Sequence, residues 1–199
     1  MQSTRKQIET KISKSTPGEI FFSTDFSSHG TPENIRQVLS RLEKEGVLER
    51  IAQGIYLKPK RDPLLGILYP SIEEIAEKIA KRDKARIAPT GVMALYLLGL
   101  TTQIPLKIAY LTDGSQRQIK IGNHNILFKQ TVPRNFAIKE ERLHLIVQAF
   151  REKGQREITK DFLKKIENHV KKLDAKLLDT QLKYAPVWIQ KEILKLYNN

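Results

Sequence analysis

Apolar residues recur along this chain with two different spacings, and the alternation between them lays out its elements. From Thr4 to Ser15 the only large apolar side chains are Ile8 and Ile12, one helical turn apart. That spacing predicts an amphipathic helix, which Thr16-Pro17-Gly18 would terminate. Glu19-Ile20-Phe21-Phe22 is a short apolar run with the character of a small strand, and Thr24-Asp25-Phe26 opens a one-turn helix that closes by Gly30. Thr31-Pro32 is a strong helix start. The threonine oxygen accepts from an orphan amide, and proline at the first helical position lacks only a donor that would be unpaired anyway. Ile35, Val38, Leu39 and Leu42 then form a stripe with a period of about 3.6 residues, ending before Gly46. Val47 to Lys58 holds two β-rich arms around Gln53-Gly54 and predicts a hairpin.

The remainder is mixed. Lys60 to Tyr69 carries Arg61-Asp62-Pro63 and Gly66, the punctuation of a connector. Ser71 to Lys81 is an amphipathic helix with Ile72, Ile75, Ala76 and Ile79 on one side, and Ser71 with Glu74 forms a capping box. Pro89 to Leu100 is almost entirely apolar and predicts a centrally buried helix. Lys107 to Thr112 is strand-like and ends at Asp113-Gly114, and the segments 118–121 and 126–130 flank Gly122-Asn123 as a second hairpin. Helices follow over 140–152, 160–172 and 175–196, the last broken at Pro186. The expected fold class is α+β: residues 1–60 form one domain, and residues 61–199 a mostly helical one with a small β-sheet or hairpin.

Helix, short strand, small turn, helix and two-stranded ribbon is the order of a winged helix-turn-helix, in which the second helix of the pair enters the major groove. Many small α+β domains share that order. If this one binds DNA, the candidate contacts on the second helix are Thr31, Asn34, Arg36, Gln37, Ser40 and Arg41, residue types that bind base edges or phosphates. Arg50, Gln53 and Lys58 in the hairpin suit phosphate or minor-groove contact. Any exposed helix face carries Arg and Gln, however, and Arg41 could equally pair with Glu45 one turn on.

Charge sharpens this picture. The 199 residues carry 35 Lys+Arg against 22 Asp+Glu, a net charge of +13, which points to an anionic partner, most often nucleic acid. The segment Met1 to Tyr69 holds only +3 of it, so bulk charge is not what would specify DNA there. The absence of cysteine removes disulfides, thiolate zinc sites, iron–sulfur clusters and cysteine nucleophiles together. The polar first fourteen residues lack the apolar core of a signal peptide, and the longest apolar run, 91–100, is far short of a membrane span. A cytoplasmic protein with no membrane partner is expected.

Signals for chemistry are sparse. His29, His124, His144 and His169 lie at no metal-ligand spacing, and no phosphate-cradling glycine motif occurs. Asp113-Gly114-Ser115 contains the Gly-Ser pair that opens nucleotidyltransferase sites, but no Asp-x-Asp pair exists to hold the metals. A nuclease-like enzyme would have to gather scattered carboxylates such as Asp113, Glu140 or Glu141. We therefore expect no enzyme activity and no cofactor. Trp188, the only tryptophan, fits core packing of the last helix.

Several stretches, in order along the chain, resemble a known family. They are Ile20-Phe-Phe-Ser-Thr-Asp-Phe26, Leu39-Ser-Arg-Leu42, Leu48-Glu-Arg-Ile-Ala-Gln-Gly-Ile-Tyr-Leu-Lys-Pro59 and Ala109-Tyr-Leu-Thr-Asp-Gly114, with Ile119-Lys-Ile-Gly122, Pro133-Arg-Asn135 and Leu182-Lys-Tyr-Ala-Pro-Val-Trp-Ile189 closing the set. Together they resemble the AbiEi-like antitoxins and transcriptional regulators of bacterial type IV toxin–antitoxin (abortive infection) systems, in their compact branch. The resemblance implies an N-terminal winged helix-turn-helix that binds double-stranded DNA at the promoter of its own operon. It also implies a C-terminal domain that counteracts a nucleotidyltransferase-like toxin, to which the missing catalytic carboxylates would belong. Ser40, Arg41, Arg50 and Gln53 fall in the matched stretches, with Gln53 where relatives often carry a basic residue. The alternative is a non-catalytic protein- or RNA-binding module whose winged helix makes protein contacts only.

Overall fold

A computed structural model describes residues 3–103, 105 and 107–198. The fold is α+β, about half helical with small sheets. The chain divides into two compact units, Met1–Ile79 with Lys120–Gly122, and Ala80–Ile119 with Asn123–Asn199.

The first unit begins with α1 (Thr4–Lys14), whose two isoleucines are buried as their spacing predicts. β1 (Ile20–Phe22) leads into a 3-10 turn over Ser23–His29 and then α2 (Pro32–Lys44). Thr31 caps α2 by accepting from the Asn34 amide at 3.4 Å. β2 (Glu49–Ala52) and β3 (Ile55–Leu57) form the expected hairpin, and β1 pairs antiparallel with β3 to give a sheet in the order β1-β3-β2. Gln53-Gly54 is its two-residue turn, with Gly54 at φ +69°, a conformation glycine adopts without strain. Ile8, Ile12, Phe21, Phe26, Ile35, Val38, Leu39, Leu42, Leu48 and Tyr56 close into one core.

The stretch expected as a connector is instead a hairpin, β4 (Lys60–Asp62) paired with β5 (Gly66–Leu68). Its cause is local. The Asp62 carboxylate accepts from the amides of Leu64 and Leu65 at 2.9 and 3.0 Å, which closes the turn and holds the carboxyl below its ordinary pKa. The hydroxyl of Tyr69 donates to Glu49 of β2 at 3.3 Å, and Lys78 pairs with Glu19 at 2.9 Å. The first unit therefore runs past residue 60 and includes this hairpin and most of α3 (Ile72–Arg82), which carries the predicted Ser71–Glu74 capping box.

The second unit holds a four-stranded sheet, β6 (Ile87–Thr90), β7 (Lys107–Thr112), β8 (Arg117–Ile121) and β9 (His124–Gln130), in the order β6-β7-β9-β8. β7 and β9 are parallel, with Ile108 beside Ile126 and Tyr110 beside Phe128. The helix expected over 89–100 is shorter. Pro89 and Thr90 belong to β6, and α4 spans only Val92–Leu97. The apolar run hid this break, because proline is tolerated on an edge strand and Gly91, at φ +63°, turns the chain between the two elements. α5 (Glu141–Lys153), α6 (Lys160–Val170), α7 (Ala175–Gln181) and α8 (Val187–Asn198) complete the unit around Phe150, which meets Phe162 and Trp188 edge-on. Trp188 is only partly buried and packs against the edge of this core, so the expected core role is met in part. Among the described residues no helix is long and apolar enough to cross a membrane.

His144 is buried on α5, and its Nε2 lies 3.1 Å from the Pro89 carbonyl, an acceptor, so Nε2 carries the hydrogen. Burial pushes its pKa below the ordinary value, and burial does the same for His169. Protonation is then easier in the unfolded chain. The stabilising contribution is complete above about pH 6.5. It is lost as the pH falls towards the lower folded values. Urea midpoints measured across this range should therefore drop on acidification, and His144→Gln should flatten the drop. An unchanged slope in that variant would assign the dependence elsewhere.

Candidate nucleic-acid interface

α2 is built to bury one side and display the other. Ile35, Val38, Leu39 and Leu42 face the core, while consecutive residues turn by about 100°. Glu33, Gln37, Ser40 and Lys44 therefore line the opposite side, flanked by Arg36 and Arg41. The side chains of Gln37, Ser40, Arg41 and Lys44 have no hydrogen-bond or ion-pair partner among the described residues. The pairing of Arg41 with Glu45 does not form. Glu45 is taken by Arg5 of α1 at 2.8 Å, which leaves the Arg41 guanidinium open. Lys44, a non-core position of the same helix, lies seven residues from Gln37 and three from Arg41 on the same outer side.

The remaining candidates divide by what they already hold. Thr31 is spent on the helix cap, and the Asn34 amide donates to Thr4 of α1 at 3.2 Å, so both mainly fix the angle of α2. Arg36 makes an exposed pair with Glu33 at 2.9 Å, a contact weak enough to be exchanged for a phosphate. It also edges a hollow of about 320 Å³ between the Ser23–His29 turn and the start of α2, which Ser23, Thr24 and Ser27 line as well. These hydroxyls went unmarked because isolated serines in a turn carry no sequence pattern of their own.

Lys58 has a different task from the one its charge suggests. Its ammonium donates to the carbonyls of Ile12, Ser13 and Ser15 at 2.8, 3.2 and 2.6 Å, closing the C-terminal end of α1. A cation there satisfies orphan carbonyls and opposes the helix dipole. Lys58→Ala should lower the unfolding free energy by about 1–3 kcal/mol, since three bonds to a charged donor are lost. Arg at that position should restore part of it. A denaturation curve superimposable on that of the unmodified chain would refute this role.

Arg50 and Gln53 are exposed on the β2–β3 hairpin. Arg50 lies near enough to Tyr56 to oppose the upward push of burial on that phenol, and Glu43 of α2 acts on the same ring. Arg50 lies opposite Tyr56 across the β2–β3 pair. The hairpin tip does not stand free. β1 runs beside β3 as far as Phe22 and Ile55, and the Ser23 amide donates to the Gly54 carbonyl at 3.1 Å. Gln53 is therefore presented close to the Ser23–His29 turn, not on a long projecting wing.

Two of the carboxylates that metal-dependent chemistry would have to gather are separately engaged. Asp113 accepts from the Arg86 amide and side chain, each at 2.7 Å, which depresses its pKa, and Glu140 caps α5 through the Leu143 amide. No cluster of three metal-binding side chains occurs among the described residues.

A model for a protein family described as "Family of unknown function (DUF6088)" matches residues 7–178. No curated protein matches the chain. The crystal structure of the RV2827C protein from Mycobacterium tuberculosis is similar, with a TM-score of 0.55 at 12% sequence identity, covering 98% of this chain and 76% of that one. At that identity the likeness speaks for the fold alone.

Proposed function

The chain belongs to the DUF6088 family, and we propose that it is a DNA-binding transcriptional regulator whose α2 reads the major groove of its own promoter. In this reading the first unit is a winged helix-turn-helix, with α1 and the Ser23–His29 turn supporting α2, and β2–β3 beside it. The observation that carries the reading is the open side of α2. The side chains of Gln37, Ser40, Arg41 and Lys44 form a continuous set of base-edge and phosphate ligands with no partner among the described residues. The hydroxyl-lined hollow beside Arg36 supplies phosphate ligands at the helix start. Thr31, Asn34 and Lys58 hold the assembly in place.

The second half of the proposal is that the C-terminal unit acts as an antitoxin against a nucleotidyltransferase-like toxin. It rests on the resemblance to AbiEi-like proteins in the stretches given above. A gene for such a toxin beside this one would support it directly.

The test of DNA reading is a gel-shift comparison between a duplex from upstream of the reading frame and a scrambled duplex, at two salt concentrations. The reading expects tighter binding to the upstream duplex. It also expects a log–log salt slope of about −0.9 for each phosphate neutralised. Equal affinity for both duplexes would favour the protein- or RNA-binding alternative.

A further inference from the structure

The β4–β5 hairpin ends in an apolar tip that no described residue covers. Leu64 is 93% exposed and Leu65 76%, and Pro63 beside them is exposed as well. Single exposed leucines are ordinary, but here three apolar side chains stand together on one turn. The arm leading to the tip carries Lys60 and Arg61, both exposed, while the one acid, Asp62, turns its carboxylate onto the amides of Leu64 and Leu65. The base of the hairpin is tied to β2 through Tyr69 and Glu49, next to Arg50.

We propose that this hairpin is a second DNA-contacting element, its Pro63-Leu64-Leu65 tip entering the minor groove as an apolar wedge between base steps while Lys60 and Arg61 meet the flanking phosphates. The inference rests on the DNA-binding reading given above. Reach fits: three residues per strand span about 10 Å, against a minor groove roughly 7.5 Å deep and 6 Å wide, which must open to admit the turn as the wedge kinks the duplex. Charge fits too, because an apolar tip flanked by cations matches a groove with phosphates on its rims and stacked bases within. Area separates this from protein docking. A specific protein interface takes roughly 800 Å² from each partner, and one proline and two leucines on a turn offer a small part of that. A wedge between base steps needs only one or two such side chains.

The experiment uses the full chain and the upstream duplex labelled at both ends, with energy transfer between the labels reporting bending and sedimentation reporting oligomeric state. The unmodified chain should bind and bend the duplex. Leu64→Ser/Leu65→Ser should keep its thermal midpoint, bind about tenfold more weakly and lose the bend at saturation. A variant that bends the duplex as fully as the unmodified chain overturns the wedge and leaves DNA binding standing. So does an unmodified chain that binds without bending. A variant that alters sedimentation of the free protein and leaves bending intact overturns it in favour of contact between copies. An unmodified chain that binds no duplex overturns the DNA-binding reading and the wedge with it.

Discussion

Phe26→Ala should lower the unfolding free energy by about 3–5 kcal/mol, the range for deleting a fully buried aromatic side chain. Phe26 has no exposed surface and lies in the core of the first unit, with its ring 5.6 Å from that of Phe21 and 6.4 Å from that of His29. Lys11 sits over the same ring at 5.2 Å and donates to the Asp25 carbonyl. The residue thus joins α1 to the short turn that sets the entry of α2. Its loss leaves a cavity at the point where three segments meet, and the rigid backbone can close only part of it. Binding of the upstream duplex should fall with stability, because α2 depends on that packing for its angle. Urea denaturation checks the first effect and the gel shift the second. A loss below about 1 kcal/mol would show that the turn repacks freely.

Arg41→Ala should produce the complementary result, weaker promoter binding with an unchanged denaturation curve. Removing a guanidinium that reads a base costs about 1–3 kcal/mol, or about 5- to 150-fold in affinity. Because the exposed Arg41 side chain makes no hydrogen bond or ion pair among the described residues, no stabilising side-chain bond is lost with it. Discrimination between upstream and scrambled duplexes should shrink as well. A loss equal on both duplexes would make Arg41 a phosphate ligand only, and no loss at all would remove it from the interface. The contrast with Lys58→Ala is the useful one. That variant should lose stability, and Arg41→Ala affinity, although both remove one cation from the same unit.

Those two residues show where sequence patterning reaches its limit. Lys58 and Arg41 are both cations near candidate contact elements, and nothing local distinguishes them. One meets three carbonyls at the end of α1, contributed by residues more than forty positions away, while the other meets solvent. The fate of Arg41 was settled by Arg5, which removes Glu45 from reach. The β4–β5 hairpin is not legible in the sequence for a related reason. Its strands are three residues long and lack clear alternation, and the turn is closed by side-chain acceptance at Asp62. The apolar run from Pro89 onward misled in the opposite direction, because a run without periodicity suits a buried helix and a buried strand equally.

By itself the sequence determined the elements whose periodicity and caps are local: α1, α2 with its Thr31 cap, the β2–β3 hairpin, α3 with its capping box, and the helices after residue 140. It also determined that +3 of the +13 net charge lies in the first sixty-nine residues, so that any DNA reading there depends on a few placed side chains. Tertiary structure alone decided which of the nine candidates are open to a ligand. It assigned Thr31, Asn34 and Lys58 to scaffolding, left Gln37, Ser40 and Arg41 unpartnered, and exposed Leu64 and Leu65 at a hairpin tip. The physical reason is range. Helix periodicity and capping are set within a turn or two of chain, whereas the partner of a long charged side chain is whatever distant backbone or carboxylate the fold brings within hydrogen-bond reach.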